Sequence, residues 1–181
     1  MSAATLNDAE VESLVLGSAD DLFYRRGISD VSMAEIRDAS GVSMRRLYNF
    51  APSKSDLVAR WLQYRHTTWT AGFVQRIDGH LAAGAGPVDA VFYALADWMT
   101  DTHFRGCAFI NTHAVSAELA DEPRAIISDH KLQLVGYLDE LVGHGDGFGV
   151  LVDGAIVQAA IFSSTDPIRH ARRAAQALTN G

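Results

Sequence analysis

The chain has 181 residues with a formal net charge of −7 at pH 7, and 48% of its residues are hydrophobic. It is long enough to bury a substantial core in one or two domains, and no stretch reaches the ~18 consecutive apolar residues that span a bilayer. The acidic residues Asp8, Glu10 and Glu12 lie where a secretory leader would carry positive charge, so we expect a cytoplasmic protein with no membrane partner.

The residue composition also argues against several kinds of metal site and catalytic site. A single cysteine excludes an internal disulfide and a cysteine-based zinc cluster, and the seven histidines show no paired ligand spacing. The chain has no glycine-rich phosphate loop of known spacing and no nucleophile elbow. We therefore expect no metal, no cofactor and no enzymatic activity.

The first predicted helix begins after Asn7, which forms a capping box with Glu10. Its apolar residues recur at helical spacing and should pack on the next two helices. They are Val11, Leu14, Val15, Leu22 and Phe23.

A helix-turn-helix pattern follows. Ser32 and Glu35 form a second capping box, so a helix should begin at Met33 and carry inward the residues Met33, Ile36 and Ala39. Gly41 supplies the turn, and Ser43 caps the next helix. This spacing is typical of a DNA-reading motif, although any helical hairpin with a solvated basic edge shares the bare pattern.

The segment from Ser43 to Lys54 is locally basic. It contains Arg45, Arg46 and Lys54 and no acidic residue, in contrast to the acidic chain as a whole. A basic face on a short helix neutralises phosphates, and arginine also pairs with the O6 and N7 acceptors of guanine. Tyr48 and Asn49 add a phenol and an amide beside this face.

The rest of the chain is predicted to be helical, which gives an all-α fold of about nine helices with no strands. A fourth helix, capped by Ser53 and Asp56, should continue to about Ile77. Pro87 should begin the fifth helix. The sixth is expected from about Gly106 to Leu119, the seventh from Pro123 to near Gly143, a loop over Gly143 to Gly149, the eighth over Val150 to Phe162, and the ninth after Asp166 and Pro167.

These residues together resemble the N-terminal domain of TetR-family transcriptional regulators over the first 65 or so positions. The matching segments, in order, are Phe23-Tyr-Arg-Arg-Gly-Ile-Ser-Asp-Val-Ser32, Met33-Ala-Glu-Ile-Arg-Asp-Ala-Ser-Gly-Val-Ser43, Leu47-Tyr48 and Pro52-Ser-Lys-Ser-Asp-Leu57. One departure is Ala51, where the family usually has an aromatic residue before Pro-Ser-Lys; here Phe50 lies one place earlier.

The resemblance implies a role for individual residues. In that family the positions of Tyr48 and Lys54 usually touch DNA phosphates, and the residues just before the Leu-Tyr pair face the bases. The predicted DNA-binding residues are Ser32, Ser43, Met44, Arg45, Arg46, Tyr48, Asn49 and Lys54. Their partner would be double-stranded DNA with a palindromic operator.

The resemblance also implies two domains, a DNA-binding domain over residues 1–52 and a ligand-binding and dimerisation domain over residues 53–181. The eighth helix is apolar nearly all round, so it is either enclosed or shared with a partner. In the TetR family the last two long helices form a four-helix bundle across a two-fold axis. We therefore expect a homodimer.

A small-molecule effector of unknown identity is expected in the second domain. Each aromatic residue there is more readily explained as ordinary core than as a ligand contact. The polar residues Asn111 and Glu118 are predicted to share one helix face and could contact a ligand. The candidate ligand-binding residues are Trp69, Phe73, Trp98, Phe104, Cys107, Asn111, His113, Glu118 and Tyr137.

Cys107 has two interpretations. Arg105 and a helix amino end nearby could favour a reactive thiolate, as in family members that sense electrophiles. The simpler interpretation is a small buried hydrophobic side chain, which we favour.

The function that the sequence predicts is a ligand-responsive regulator, most simply a repressor that binds its operator as a dimer and is released by a small molecule. The alternative is an α-helical small-molecule-binding protein or enzyme that uses the C-terminal pocket.

Overall fold

The computed structural model describes residues 6–143 and 145–179, and these form nine α-helices, one short 3-10 helix and no strands. The predicted all-α class is therefore confirmed. The α-helices are α1 (Asp8–Arg26), α2 (Met33–Ser40), α3 (Met44–Phe50), α4 (Lys54–Ala82), α5 (Pro87–Met99), α6 (Ala108–Ala114), α7 (Asp121–Val142), α8 (Gly145–Phe162) and α9 (Asp166–Thr179), with the 3-10 helix at Ser116–Glu118.

The chain divides into two compact units. The first unit comprises the chain to Arg65 together with Phe109–Ile127, and the second comprises His66–Ala108 and the chain from Ser128 onward. Helix α4 begins in the first unit and continues into the second.

Helix ends in the first unit follow the predicted local signals. The side chains of Asn7 and Ser32 each form a complete capping box with the glutamate three residues later. The Glu35 carboxylate accepts from the backbone N–H of Ser32 and from Arg26, and these bonds lower its pKa to about 2. Gly41 ends α2 in the left-handed conformation, with φ +69°.

The core of the first unit packs α1 against α2, α3 and the start of α4. Its fully buried side chains include Val15, Ile36, Leu47, Leu57 and Leu62. One expectation for α2 was wrong. Ile36 is buried and Met33 is partly buried, but Ala39 is exposed.

A polar contact fixes α1 on α4. The indole N–H of Trp61 donates to the Asp20 carboxylate at 2.8 Å, and Arg65 donates to both oxygens of the same carboxylate at 2.9 Å. The Arg65 guanidinium also lies 3.8 Å from the centroid of the Tyr24 ring. Because these donors come from successive turns of α4, the contact fixes the rotation of α4 against α1.

In the second unit α9 packs on both α5 and α8. Phe92 and Phe148 lie in its core, with ring centroids 5.4 Å apart. Gly149 lies where α8 passes close to α7, since an added Cβ would lie 2.8 Å from a methyl group of Val135.

Three predicted helix boundaries were wrong. The sixth helix ends at Ala114 and is followed by the 3-10 helix, so the predicted continuous helix to Leu119 does not form. Residues 145–149 of the predicted loop from Gly143 to Gly149 belong to α8, in which Phe148 is buried, and residue 144 lies outside the described residues. Helix α4 continues past Ile77 to Ala82 and stops before Gly84, which has φ +92°.

Candidate nucleic-acid interface

The turn between α2 and α3 presents α3 as an outward-facing helix. Val42 in the turn and Leu47 in the middle of α3 are buried, and they hold α3 against the rest of the first unit. The Ser43 hydroxyl accepts from the backbone N–H of Arg46 at 3.4 Å, and the first turn of α3 has no acidic residue. The amino end of α3 therefore keeps its partial positive charge.

The side chains opposite Leu47 point outward. Arg45, Tyr48 and Asn49 are exposed, while Met44 is partly buried. Residues of this kind on one helix face can pair with base edges and with phosphates in a major groove.

Arg46 has a different environment from Arg45. It is partly buried, and its guanidinium donates to the backbone carbonyl of Leu6, just before α1. The two adjacent arginines, which the sequence treated as equivalent, are therefore separated by the fold: one is exposed and the other is attached to the start of α1.

The remaining predicted DNA-binding residues lie at helix ends. Lys54 is the first residue of α4 and is partly buried. Ser43 is exposed. Ser32 is also exposed, but its hydroxyl donates to Glu35 at 2.8 Å and its backbone N–H donates to the same carboxylate. Both the hydroxyl and the backbone N–H of Ser32 are thus donated to the capping box of α2.

Four predicted ligand-binding residues form one aromatic cluster within the second unit. Trp69 stacks on Phe73 with ring centroids 4.8 Å apart, and it meets Trp98 edge-on at 5.3 Å. Trp98 in turn meets Phe104 at 4.9 Å. Phe73 and Trp98 are buried, as ordinary core residues would be, but Phe104 is only partly buried and also lines a cleft.

This cleft has a volume of about 490 Å³ and lies where α5 ends and α8 turns into α9. Its lining combines apolar side chains with an acid, an arginine and three hydroxyls. The lining residues are Met99, Asp101, Phe104, Arg105, Ala159, Ala160, Ser163, Ser164 and Thr165.

The other predicted ligand-binding residues are not gathered in that cluster. Cys107 is a buried free thiol just before α6. Asn111 and His113 are exposed on α6, within the first unit. The break after Ala114 removes the helix face that Asn111 was expected to share with Glu118, whose side chain lies outside the described part of the structure. Tyr137 is partly buried on α7, and burial raises the pKa of its hydroxyl.

Sequence reasoning missed a histidine pair beside the aromatic cluster. The Nδ1 atoms of His66 and His130 lie 2.9 Å apart, and the His130 ring also meets Trp69 edge-on. His130 is only 2% exposed, and burial, Lys131 and His66 lower its pKa to about 3. Spacing along the chain could not have revealed this pair, because its members are 64 residues apart.

Helix α8 carries an exposed apolar stripe. Val150, Val157 and Ile161 recur at helical spacing and are exposed, Val150 by 73% and Ile161 by 69%. Gly154 lies between them, and Phe162 extends the stripe at the carboxyl end of the helix. Exposed apolar surface of this extent on one helix is typical of an interaction face.

In the described part of the chain, no helix by itself is long and apolar enough to cross a bilayer. Helices α7 and α8 meet that criterion only as a bent pair, which buried core helices also do.

These features define a helix-turn-helix protein. Its long helix α4 begins in the first unit, which contains the helix-turn-helix, and continues into the second, helical unit. Residues 15–60 match the model of a family described as bacterial regulatory proteins, tetR family. The TetR-family resemblance predicted from the sequence is thus confirmed for this segment. No functionally curated protein matches the sequence significantly.

Solved structures extend the likeness of fold to the whole chain. A TetR-family transcriptional regulator from Streptomyces coelicolor aligns with a TM-score of 0.76 at 22% identity, covering 95% of each chain. The reduced form of NemR from E. coli aligns with a TM-score of 0.75 at 14% identity, covering 92% of this chain and 95% of that one. A TetR-family regulator from Cytophaga hutchinsonii aligns with a TM-score of 0.79 at 12% identity, covering 99% and 98%. The family match over residues 15–60 supports a DNA-binding transcriptional regulator, and the solved structures show that the fold is shared over the whole chain.

Proposed function

We propose that this protein is a cytoplasmic, ligand-responsive transcriptional repressor that binds a palindromic operator as a homodimer and is released by a small molecule. The observation that carries the proposal is the outward face of α3. Arg45, Tyr48 and Asn49 are exposed on a helix that buries Leu47 and has no acid in its first turn. Such a helix offers donors to base edges and phosphates while its opposite side stays anchored.

Within this face we assign base contacts to Arg45 and Asn49, with Met44 beside them. Arginine pairs with guanine and asparagine with adenine in the major groove. Tyr48, Lys54 and the exposed hydroxyl of Ser43 would hold phosphates. Ser32 would act by capping α2, because its hydrogens are bound to Glu35.

The α8 stripe would bind a second copy of the chain. A two-fold axis brings the same stripe of each copy together, and Gly154 would allow the two helices to approach closely. The dimer would place two α3 helices on half-sites about 34–36 Å apart, which is one turn of DNA. The operator should therefore be palindromic.

The effector would bind in the second unit at the cleft that Phe104 lines. An effector that prefers a conformation with the two α3 helices at the wrong separation would weaken operator binding by its difference in affinity for the two conformations. Trp98 lies 4.9 Å from Phe104 by ring centroids, so binding in this cleft should change tryptophan fluorescence.

The test is a gel shift at stated salt with the DNA upstream of the gene, against an unrelated duplex of equal length. The proteins compared are the wild type, Arg45→Ala and Arg25→Ala. Arg25 is a matched exposed arginine near the end of α1. We expect palindrome-dependent binding that Arg45→Ala weakens and Arg25→Ala leaves unchanged. Equal weak binding of the wild type to both duplexes would contradict sequence-specific recognition of that DNA.

A further inference from the structure

A second basic feature of the first unit lies beside α3. It is a cleft of about 410 Å³. Residues from α1, α3 and α4 line it: Asp8, Val11, Arg46, Asn49, Phe50 and Arg60. Arg46 and Phe50 are one helical turn apart and share one flank of α3, whereas Met44 and Tyr48 share the other. The cleft therefore borders the outward face of α3 on the side away from Tyr48.

The side chains that line this cleft favour an anion. The lining contains two guanidinium groups, one amide and one carboxylate, that of Asp8. Its net charge is therefore positive. Arginine presents planar N–H donors that match the oxygens of a phosphate.

Both arginines are held in place before any ligand binds. The guanidinium carbon of Arg60 lies 4.6 Å from the centroid of the Phe50 ring, a cation–π contact that favours this position of the side chain. Arg46 is attached to the carbonyl of Leu6. Side chains that are already ordered lose less conformational entropy on binding, so the cleft is preorganised for an anion.

We propose that this cleft is a phosphate-binding site in which Arg60 and Arg46 are the cationic donors. The phosphate could belong to the DNA backbone that borders the groove entered by α3, in which case the inference rests on the proposed function. It could also belong to a free phosphorylated small molecule. The proposal assigns a role to Arg60, which lies on α4 outside the helix-turn-helix.

The first arm of the test measures DNA binding. Fluorescence anisotropy with the palindromic duplex is recorded over a salt series for the wild type, Arg60→Gln and the control Arg25→Gln. For a DNA phosphate, Arg60→Gln should weaken binding and reduce the slope of log K against log salt by about 0.9, the value for one phosphate contact. Arg25→Gln should match the wild type. Arg60→Lys, which keeps the charge, should retain most of the slope.

The second arm uses inorganic pyrophosphate as the probe, with isothermal titration calorimetry on the same proteins. For a free phosphorylated ligand, pyrophosphate should bind the wild type and Arg25→Gln but not Arg60→Gln, while the salt slope for DNA stays unchanged. If neither the salt slope nor pyrophosphate binding distinguishes Arg60→Gln from Arg25→Gln, the phosphate site is overturned. Failure of the wild type to bind any palindromic duplex would instead contradict the proposed function, and the pyrophosphate arm would still test the cleft.

Discussion

His66 on α4 and His130 on α7 share one hydrogen bond through their Nδ1 atoms, 2.9 Å apart, within the second unit. One ring must donate its proton and the other must accept it, so the pair is intact only while at least one ring is neutral. Since His130 is buried, neutral imidazole is the form that the folded protein keeps, which gives a direct dependence of stability on pH.

We expect the free energy of unfolding to fall as the pH is lowered below 6.5. His130 has its pKa lowered from 6.5 to about 3, so the unfolded chain takes up a proton in this range while the folded chain does not. One such group costs up to about 1.4 kcal/mol per pH unit. Urea unfolding at pH 7.5, 6.5 and 5.5 measures this. These pH values all lie above 4.5, the ordinary pKa of a glutamate. Only below it would the lowered pKa of Glu35 also make the free energy of unfolding fall.

His130→Gln should flatten that pH dependence. His103→Gln is the matched control, because the His103 side chain is 68% exposed. The control should keep the slope of the wild type. An unchanged slope in His130→Gln would show that other groups cause the dependence.

The two arginines of α3 should differ in what they do to base preference. Arg45→Ala should weaken operator binding and relax discrimination at one base pair by about 1–3 kcal/mol, because an exposed arginine can pair with a base. Arg46→Ala should weaken binding to all duplexes similarly, because its guanidinium lies against Leu6 and the basic cleft. Competition experiments with operators that carry single base-pair substitutions measure the affinity and the base preference of both variants. Equal loss of base preference in the two variants would contradict the division of roles.

Lys54→Ala should weaken binding to specific and unrelated DNA by a similar factor. Lys54 lies at the start of α4, and a lysine acts on phosphate as a point charge without base information. We expect the salt slope to fall by about 0.9. Anisotropy over a salt series with both duplexes is the measurement, and a loss confined to the operator would argue for a base contact instead.

The α8 stripe should control the oligomeric state. Ile161→Asp should give a monomer with native helical content that binds the operator weakly, because it places a charge in an apolar interface. Leu132→Asp is the control, since Leu132 is 70% exposed on α7 and lies outside the stripe. Sedimentation velocity and circular dichroism are the measurements. A dimer that survives Ile161→Asp would place the interface elsewhere.

Close packing of α7 and α8 should make Gly149 intolerant of substitution. A Cβ at Gly149 would lie 2.8 Å from the Cγ2 of Val135, a stiff β-branched side chain, whereas a Cβ at Gly136 would meet nothing within 4 Å. Gly136→Ala should stabilise the protein by about 1 kcal/mol through helix propensity. Gly149→Ala should be less stable than that control by about 1–3 kcal/mol, as overpacking costs. Thermal unfolding of both variants tests this, and equal stability would mean that Val135 moves aside freely.

Much of the first unit could be predicted from the sequence, because the residues that begin and end its helices are close together along the chain. The capping boxes at Asn7 and Ser32 join residues three apart, and Gly41 has the left-handed φ that ends α2. These interactions form within one turn of helix, so short-range pattern is sufficient to place them. The break of the sixth helix and the helical start of α8 were missed, because the ends of a helix depend on tertiary packing as well as on local pattern.

By itself, the sequence determined the helical class, the helix-turn-helix and the acid-free α3, since each is a property of neighbouring residues. Only the tertiary structure decided that Arg45 is exposed while Arg46 contacts a carbonyl 40 residues away, and that His66 meets His130 across 64 residues. It also brought Arg60 and Phe50 to one basic cleft. Such contacts depend on which helix faces meet in the folded chain, and the spacing of residues within a single helix contains no information about its partners.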